Sequence, residues 1–591
     1  MALSIARVRR VLAIELPATI GSLVIAFGQS PETQTRVDKI FSKWTNSTPG
    51  CAVGAAVDGQ QVVSAAYGMA DLEREVKNTP ETIFEGGSVS KQFTAAAVLL
   101  LAREGKLSLD DPVRKYIPEI PDYGAPLRIR HMLNHTSGLR DWGSVESIAG
   151  WPRTSRVYTQ AHVLEILSRQ RAINFPSGTR YSYSNSGYNL AAMLVARVSG
   201  MPFAEFTKTR LFQPLGMMHT SWRDDHTRIV KNRAVAYADQ KDGFHIDMPF
   251  ENVYGNGGLL TTVGDLLKWN ENFDAPRIGD RSFIAEQQQP GRFNDGRPHG
   301  YALGLMVDTY KGVRQVDHSG STAGYRAHLG RYPDQHVSVA VLCNVTSGGA
   351  TESAHAVAEI YLGDRLKPAT VKAAYSLSEA EGKRLTGLYK DIERGLPTTI
   401  AYDKNGLHVD RDEESDERDT ALLAMSPTRF VTASNQTWEF DTSGRVRVTD
   451  AYGTVDTLQR VDASKRAPEQ GKALTGTYTS DEAEMTLTVA IDGASLAIKR
   501  RPDKVTKLTP VYADAFSADT LGLVIFRREG SGRVTSLSVV QDRVWDMRFT
   551  RQPTVTSTRQ DVAGGAKAPP LRVGLLWRPF RAAVGGGSIS R

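Results

Sequence analysis

Apolar and polar residues follow two different patterns along the chain, and the change comes near residue 365. Before it, the run from Phe93 to Ala102 is almost wholly apolar and lacks glycine and proline, which predicts a helix buried on most sides. The runs Cys51–Val57 and Gln61–Tyr67 flank Asp58-Gly59 and predict a hairpin of buried strands. The same reasoning predicts strands at Val313–Asp317, Ala327–Tyr332 and Val337–Cys343, and helices at Pro31–Trp44, Tyr188–Val198 and Glu352–Leu362. Strands at both ends of a helical segment indicate an antiparallel sheet that distant parts of the chain close.

After a linker at 366–378 the chain consists of short alternating stretches between turns, and it repeats itself. The segment Gly382-Lys-Arg-Leu-Thr-Gly-Leu-Tyr389 returns 89 residues later as Gly471-Lys-Ala-Leu-Thr-Gly-Thr-Tyr478. A second marker, Ser443-Gly-Arg-Val446, returns after 88 residues as Ser531-Gly-Arg-Val534. Two markers at nearly one spacing predict two copies of one all-β unit, at 379–461 and 471–552, each long enough for a small antiparallel barrel.

The start of the apolar helix carries the first candidate chemistry. Gly86 and Gly87 allow a tight turn that places Ser88 at the helix N-terminus, where free N–H groups would stabilise an oxyanion. Lys91 follows three residues later, so its amine can reach the Ser88 hydroxyl on the same helix face. Because Ser-x-x-Lys also occurs by chance on surface helices, the assignment of a nucleophile and its base depends on companion residues.

Companions occur further along the chain. Tyr183-Ser-Asn185 lies in a turn-rich stretch, and His318-Ser-Gly320-Ser321 lies at the end of a predicted strand. Without Ser88 in the chain, the first would favour a turn fixed by side-chain hydrogen bonds. With Ser-x-x-Lys, Tyr-x-Asn and a basic residue-x-Gly in this order, the chain resembles the serine β-lactamase and penicillin-binding serine peptidase superfamily. The resemblance is to the branch that contains class C β-lactamases, D-aminopeptidases and related esterases.

The resemblance covers about residues 31–365 and includes Met132-Leu-Asn-His-Thr-Ser-Gly-Leu139 and Gly257-Gly-Leu-Leu-Thr-Thr-Val-Gly-Asp265. It implies an α+β domain, an antiparallel sheet with helices on both faces and a helical subdomain. One such domain followed by two barrels is the layout of D-aminopeptidases. In those relatives a loop of the last barrel closes the substrate cleft, and the turn-rich segments Arg500–Lys507 and Ala513–Leu521 are the candidates here.

The resemblance also implies roles. Ser88 attacks a carbonyl group, and Tyr183 and Lys91 form the pair that takes its proton. A phenol titrates near ~10, but a nearby ammonium favours phenolate and a shared site lowers either group, so one of them can act as base. Asn185 holds a substrate amide, and the N–H groups of Ser88 and Ser321 form the oxyanion hole.

His318, Gly320 and Ser321 are expected to bind substrate, and His318 departs from the pattern. Most relatives have lysine there, a permanent cation for a substrate carboxylate, whereas histidine is charged only part of the time near neutral pH. This favours an enzyme that forms an acyl-enzyme on Ser88 and acts on a D-amino-acid amide or peptide. The alternatives are a carboxylesterase, a class C-like β-lactamase or DD-peptidase, and a penicillin-binding sensor that keeps its adduct.

Composition excludes some classes of partner. The 591 residues are 40% hydrophobic, which is ordinary for a globular protein. The formal charge of +7 divides into +2 in residues 1–28 and +5 in residues 553–591, so the folded part is balanced and shows no basic surface for nucleic acid. No histidine pair has metal-ligand spacing, so neither metal nor cofactor is expected, and His135 and His219 are interpreted as structural. A homodimer is compatible with the sequence.

The two ends of the chain and the cysteines bear on location. Residues 1–28 combine a basic start with a short apolar run and predict an export signal, hence a periplasmic or extracellular protein without a membrane span. Residues 553–591 are rich in Gly, Ala, Pro and Arg and predict a disordered tail. If the family sheet places its first and last strands side by side, Cys51 and Cys343 form either a disulfide or two buried thiols.

Overall fold

The computed structural model describes residues 31–151, 156–367, 372–410, 421–464 and 471–553. The predicted export signal at 1–28 lies outside these residues, as does the predicted tail at 553–591 apart from its first residue. Among the helices that the structure describes, none is long and apolar enough to cross a membrane.

The first region is built on a six-stranded antiparallel sheet. Its strands and the shorter ones around it are β1 (Cys51–Val57), β2 (Gln60–Tyr67), β3 (Met69–Asp71), β4 (Val76–Lys77), β5 (Phe84–Glu85), β6 (Tyr158–Thr159), β7 (Ser221–Trp222), β8 (Tyr237–Gln240), β9 (Gly243–Ile246), β10 (Glu251–Asn252), β11 (Leu259–Thr261), β12 (Met306–Tyr310), β13 (Val313–Thr322), β14 (Tyr325–Tyr332) and β15 (Val337–Cys343). The order in the main sheet is β12-β13-β14-β15-β1-β2. The predicted closure of one antiparallel sheet by distant segments is therefore confirmed.

Helices cover both faces of this sheet. They are α1 (Pro31–Ile40), α2 (Lys91–Arg103), α3 (Ile129–Leu133), α4 (Trp142–Ala149), α5 (Gln160–Ser168), α6 (Asn185–Ser199), α7 (Phe203–Thr207), α8 (Gln213–Leu215), α9 (Val263–Asp274), α10 (Arg281–Gln287) and α11 (Ala350–Leu362). In β1, Ala52 and Ala56 join the core around α2, α6 and α9, whereas Val53 and Ala55 join the core around α1 and α11. Because both faces are buried, β1 is apolar throughout instead of alternating.

Cys51 and Cys343 face each other directly in the register of β1 and β15. Their sulfur atoms are bonded, so of the two alternatives open at the level of the sequence the structure contains the disulfide. The bridge joins the first and last strands of the domain across 292 residues of chain.

Two eight-stranded antiparallel barrels follow, as predicted. After α12 (Glu379–Leu385), the first contains β16 (Gly387–Asp391), β17 (Pro397–Asp403), β18 (Gly406–Asp410), β19 (Leu423–Ala424), β20 (Arg429–Val431), β21 (Thr437–Phe440), β22 (Arg445–Thr449) and β23 (Val455–Val461). The second contains β24 (Gly476–Ser480), β25 (Met485–Asp492), β26 (Ser495–Arg500), β27 (Lys504–Tyr512), β28 (Ala515–Ala518), β29 (Gly522–Arg528), β30 (Val534–Gln541) and β31 (Val544–Arg551). The second is closed by β31 pairing with β24, and the first is nearly closed by a single bridge between His408 and Ala421.

The sequence repeat corresponds to a repeated contact. The Tyr389 hydroxyl donates to the carbonyl of Leu385 at 2.8 Å, and the Tyr478 hydroxyl donates to the carbonyl of Leu474 at 2.8 Å. Each tyrosine thus ties the first strand of its barrel to the helical turn before it.

Both barrels pack on the first region, and the described residues from 31 to 552 form one compact unit. The second barrel is attached by a buried ion pair, with Arg140 Nη1 2.7 Å from Glu482 Oε2. The first is attached through Arg180, which pairs with Glu393 at 2.6 Å and with Asp456.

Candidate active site

Ser88 lies in the 3₁₀ turn Gly87–Ser90, which runs directly into α2 at Lys91. The helix therefore begins three residues later than the sequence predicted, but the spacing of Ser88 and Lys91 survives because the turn continues into the helix. Gly87 has φ +49°, a conformation that glycine adopts without strain.

Two glycines bring this turn against β13. A Cβ atom on Gly87 would lie 2.6 Å from the backbone N of Ser321, and one on Gly320 would lie 3.1 Å from the backbone N of Ser88. Either methyl group would force the two segments apart. Because β12 pairs with β13 only as far as Asp317, the stretch beyond it has one edge free to face the turn. The backbone N atoms of Ser88 and Ser321 therefore converge, as an oxyanion hole requires.

The Lys91 amine is fully buried at the centre of the site. Its Nζ atom lies 2.9 Å from Ser88 Oγ, 2.9 Å from Asn185 Oδ1 and 2.7 Å from the carbonyl oxygen of Asn256. Burial lowers the pKa of Lys91 well below its usual range, and the charge of Arg543 lowers it further. The amine is thereby biased toward the neutral, proton-accepting form.

Tyr183 approaches Ser88 and Lys91 from the start of α6. Lys91 Nζ is 4.8 Å from the centre of its ring. Burial raises the pKa of Tyr183 far above its usual value, and this outweighs the opposing effects of a hydrogen bond with Ser88 and of the Arg543 charge. Of the two candidate bases in the sequence, the structure therefore favours Lys91, and Tyr183 is held as a neutral phenol.

Asn185 is the first residue of α6, and Asp141 fixes its position. The Asn185 backbone N–H donates to Asp141 Oδ2 at 2.7 Å, while Asp141 Oδ1 accepts from the N–H of Gly143 at 3.1 Å as the cap of α4. One buried carboxylate thus holds the N-termini of α4 and α6 together beside the cleft. Asp141 is not among the site residues predicted from the sequence, although its place just before α4 is a helix-cap signal.

His318 lines the cleft, but both of its ring nitrogens have partners within the protein. Nε2 lies 2.9 Å from the Tyr301 hydroxyl, and Nδ1 lies 2.6 Å from the carbonyl oxygen of Ser319. Burial, followed by the Lys91 charge, lowers the pKa of His318 to about 3. The side chain is therefore neutral at physiological pH, which is a stronger departure from a permanent cation than the sequence suggested.

His135, interpreted from the sequence as structural, packs against the catalytic tyrosine candidate. Its ring centre is 4.1 Å from that of Tyr183, and its Nδ1 accepts from the N–H of Ser184 at 3.1 Å. It therefore helps to orient the segment that carries Tyr183 and Asn185.

Both barrels reach the cleft, but not through the segments proposed from the sequence. Arg543, in the turn between β30 and β31, lies 5.0 Å from the centre of the Tyr183 ring, and Tyr452 of the first barrel also lines the cleft. The interpretation of Arg500–Lys507 and Ala513–Leu521 as cleft loops is wrong. Arg500 and Arg501 instead donate to the backbone carbonyls that end α4 and so attach the barrel.

These groups line one cleft of about 1560 Å³. The cleft is lined by six of the site residues predicted from the sequence: Ser88, Tyr183, Asn185, His318, Gly320 and Ser321. The seventh, Lys91, is buried directly beneath it. The sequence motifs therefore converge on a single site.

Known proteins resemble this chain over most of its length. The Beta-lactamase family model matches residues 34–362. The chain belongs to the β-lactamase family. It is 27% identical over 519 residues to a D-aminopeptidase of Brucella anthropi, across 83% of this chain and 93% of that protein. A D-aminopeptidase of Cereibacter sphaeroides is 30% identical over 364 residues, across 61% of this chain and 67% of that protein.

The family's fold extends to a solved structure, the octameric penicillin-binding protein homologue from Pyrococcus abyssi. It matches with a TM-score of 0.51 and 24% identity over 72% of this chain and 99% of that chain. Membership of the family makes the protein a serine hydrolase, and the resemblance inferred from the sequence is confirmed.

Proposed function

We propose that the protein hydrolyses amide bonds of D-amino-acid derivatives through an acyl-enzyme on Ser88. The contact set of Ser88, Lys91 and Asn185 carries this proposal, because it provides a nucleophile, a base and an amide-binding group in one cleft. The preference for D-amino acids is supported by the D-aminopeptidases that align over much of the chain.

Lys91 acts as the base for acylation. A neutral amine has two N–H bonds, which donate to Asn185 Oδ1 and the Asn256 carbonyl, and one lone pair, which is left for the Ser88 hydroxyl. As Ser88 Oγ attacks the substrate carbonyl, its proton moves to Lys91. The resulting oxyanion is stabilised by the N–H groups of Ser88 and Ser321.

Tyr183 serves the leaving group. Its raised pKa keeps the phenol protonated, so it is suited to donate a proton to the departing amine and to recover one from the Lys91 ammonium. The same residues, used in the reverse order, activate the water that releases the acyl group. The Asn185 carboxamide is placed to hold the substrate amide beside this water.

The charges of the cleft bear on the choice of substrate. A neutral His318 gives a carboxylate none of the roughly 1.5–3 kcal/mol that a charged hydrogen bond supplies. A substrate cut after its N-terminal D-residue has no carboxylate at that place and loses little. One of the cations that line the cleft, Arg543, comes from the second barrel and lies over Tyr183.

A substrate panel tests the proposal. D-alanine p-nitroanilide, its L isomer, p-nitrophenyl acetate and a chromogenic cephalosporin are compared by kcat/KM. The D-anilide is expected to be the best substrate, and an active-site-directed fluorophosphonate is expected to label Ser88. Ser88→Ala should abolish turnover, whereas Ser319→Ala, which alters an exposed serine of the same cleft, should keep it. A higher kcat/KM for the cephalosporin would establish a β-lactamase instead, and a stable adduct without turnover would establish a sensor.

We also propose that the protein is exported. The Cys51–Cys343 bond supports this, because disulfides persist mainly in oxidising compartments. Fractionation of the native host with thiol counting under denaturing, non-reducing conditions tests it. Exported protein should show no titratable thiol, and protein recovered only from the cytosol with two free thiols would contradict the proposal.

A further inference from the structure

A second group of ionisable side chains lies between β13, β14 and α11, on the sheet face that α11 covers. Asp317 of β13, His328 of β14 and His355 of α11 each bring one ligand atom within 4.8 Å of the other two. In the strand register Asp317 faces Gly330, two residues from His328, so both side chains lie on the face that α11 covers. A Cβ atom on Gly330 would lie 2.9 Å from His328 Nε2, so the glycine leaves the room that this cluster occupies.

The polar atoms of this cluster are incompletely paired. Asp317 and His328 are only 8% and 1% exposed. Their Oδ1 and Nδ1 atoms are buried without a hydrogen-bond partner. The remaining pair, His328 Nε2 and Asp317 Oδ2, is 3.6 Å apart, too far for a hydrogen bond. Among the residues that the structure describes, no lysine or arginine pairs with Asp317. A buried carboxylate in this state is costly, and the cluster lacks a positive charge.

We propose that Asp317, His328 and His355 bind a divalent metal ion, for which zinc is the best match. Two imidazoles and one carboxylate form the three-ligand set that zinc uses with an open fourth position, whereas calcium and magnesium prefer oxygen ligands. The side-chain nitrogen of Gln315 lies 3.1 Å from His355 Nε2 and can only donate to it, so metal binding by this imidazole would replace that hydrogen bond.

The electrostatics suit such an ion. Burial lowers the pKa of His328 to about 3 and also lowers that of His355, so both imidazoles are neutral ligands at physiological pH. Burial and the neighbouring Asp308 raise the pKa of Asp317 to about 7.

The position of the site indicates a structural role. Asp317 immediately precedes His318 and lies four residues before Ser321, whose N–H faces Ser88. A metal ion held between β13, β14 and α11 would fix this strand from behind without touching the substrate. No sequence motif indicates this site, because the ligands come from three separate elements and no short spacing connects them.

Titration of Zn²⁺ alone into the chelator-treated, full-length protein tests the proposal. Wild type is expected to bind one Zn²⁺ per chain and to show a higher Tm with it. Asp317→Asn and His355→Ala should each weaken binding by about 100-fold or more, since even the loss of a residue that only hydrogen-bonds a ligand costs roughly 10–100-fold. His245→Gln, which removes an exposed histidine elsewhere, should bind as wild type does.

Two further measurements make the test independent of folding and of catalysis. If Asp317→Asn does not fold, His355→Ala, on the partly exposed face of α11, is sufficient, and loss of the visible spectrum of bound Co²⁺ in that variant is its readout. Ser88→Ala should bind Zn²⁺ as tightly as wild type, so failure of the proposed function would not affect this result. No binding by wild type, or equal binding by wild type, Asp317→Asn and His355→Ala, would overturn the proposal.

Discussion

The two barrels are closed by the same internal contacts, but the turns that they place at the cleft carry different residues. In the first, Arg460 of the last strand donates to the carbonyl of Thr386, before the first strand. In the second, Arg551 donates to the carbonyl of Thr475 at the equivalent place. The glycine that follows each of these threonines lies against the arginine side chain. The duplicated scaffold thus keeps its closing contacts.

The final hairpin is where the barrels differ. The turn between β22 and β23 carries Tyr452, whose ring stacks on Tyr181 at 4.6 Å, and the turn between β30 and β31 carries Arg543, which lies over Tyr183 at 5.0 Å. Equivalent turns therefore meet tyrosines two residues apart, one with an aromatic ring and the other with a charge. The barrels therefore support two loops that differ between the copies, and functional residues are commonly placed on such loops.

Replacing Arg543, the charged residue in the turn of the second barrel, should have the largest effect. Arg543→Gln removes a positive charge that lowers the pKa of Lys91, so this pKa should rise and less neutral amine should be present at pH 7. We expect kcat/KM to fall by about 100-fold at neutral pH and the acidic limb of the pH–rate profile to move to higher pH. Arg548→Gln, an exposed arginine of the same hairpin, is the control. An unchanged acidic limb would show that the charge does not act on Lys91.

The attachments of the barrels should differ in strength. Glu482→Gln leaves Arg140, only 4% exposed at its side chain, without its charge partner, and we expect a loss of about 3 kcal/mol in the free energy of unfolding. Glu393→Gln in the first barrel and Glu484→Gln, whose carboxylates are 51% and 53% exposed, should cost at most about 1 kcal/mol. Urea unfolding measures these changes, and equal losses would remove the distinction between the two attachments.

Replacing Tyr452, the aromatic residue in the turn of the first barrel, should affect catalysis less than replacing Arg543. Tyr452→Ala removes the ring stacked on Tyr181, so KM should rise by up to about tenfold while kcat changes little. Tyr452→Phe keeps the ring and should behave as wild type in steady-state kinetics. A large fall in kcat for Tyr452→Phe would instead assign the hydroxyl a role in the reaction.

Removing the tyrosine hydrogen bond that both barrels share should give the smallest and most similar effects on stability. Tyr389→Phe and Tyr478→Phe each remove one hydrogen bond to the backbone, and each should cost about 1 kcal/mol or less in the free energy of unfolding. Thermal unfolding of both variants checks this. Costs that differ by several kcal/mol would show that the two copies no longer use the repeated contact in the same way.

Residues fixed by local chain geometry were predictable from the sequence. Ser88 and Lys91 are separated by one helical turn, and Tyr183 and Asn185 lie at the start of one helix, so short motifs suffice to find them. The strand at Val337–Cys343 was predicted to the residue because both of its faces are buried. The edge strand Met306–Tyr310 was missed, since its polar and partly exposed residues give no buried-strand pattern.

Residues that depend on domain packing were not predictable. Arg543 and Tyr452 reach the cleft only because of how each barrel is attached, which ion pairs such as Arg140–Glu482 decide. The repeat shows that their hairpins are equivalent, but it does not show which end of a barrel faces the cleft. Segment Arg500–Lys507 was therefore chosen wrongly from charge and turn content alone.

The pairing of β1 with β15 also imposes an order in time. Residues 51 and 343 are directly opposite, yet 292 positions separate them along the chain. At about 5–20 residues per second, a ribosome needs roughly 15–60 s to deliver the partner of a strand that it made near the start. During that interval β1 can pair only with β2. The other edge of β1, a strand that is apolar on both faces, remains unpaired. The nascent chain is therefore most prone to aggregation just before β15 emerges from the ribosome.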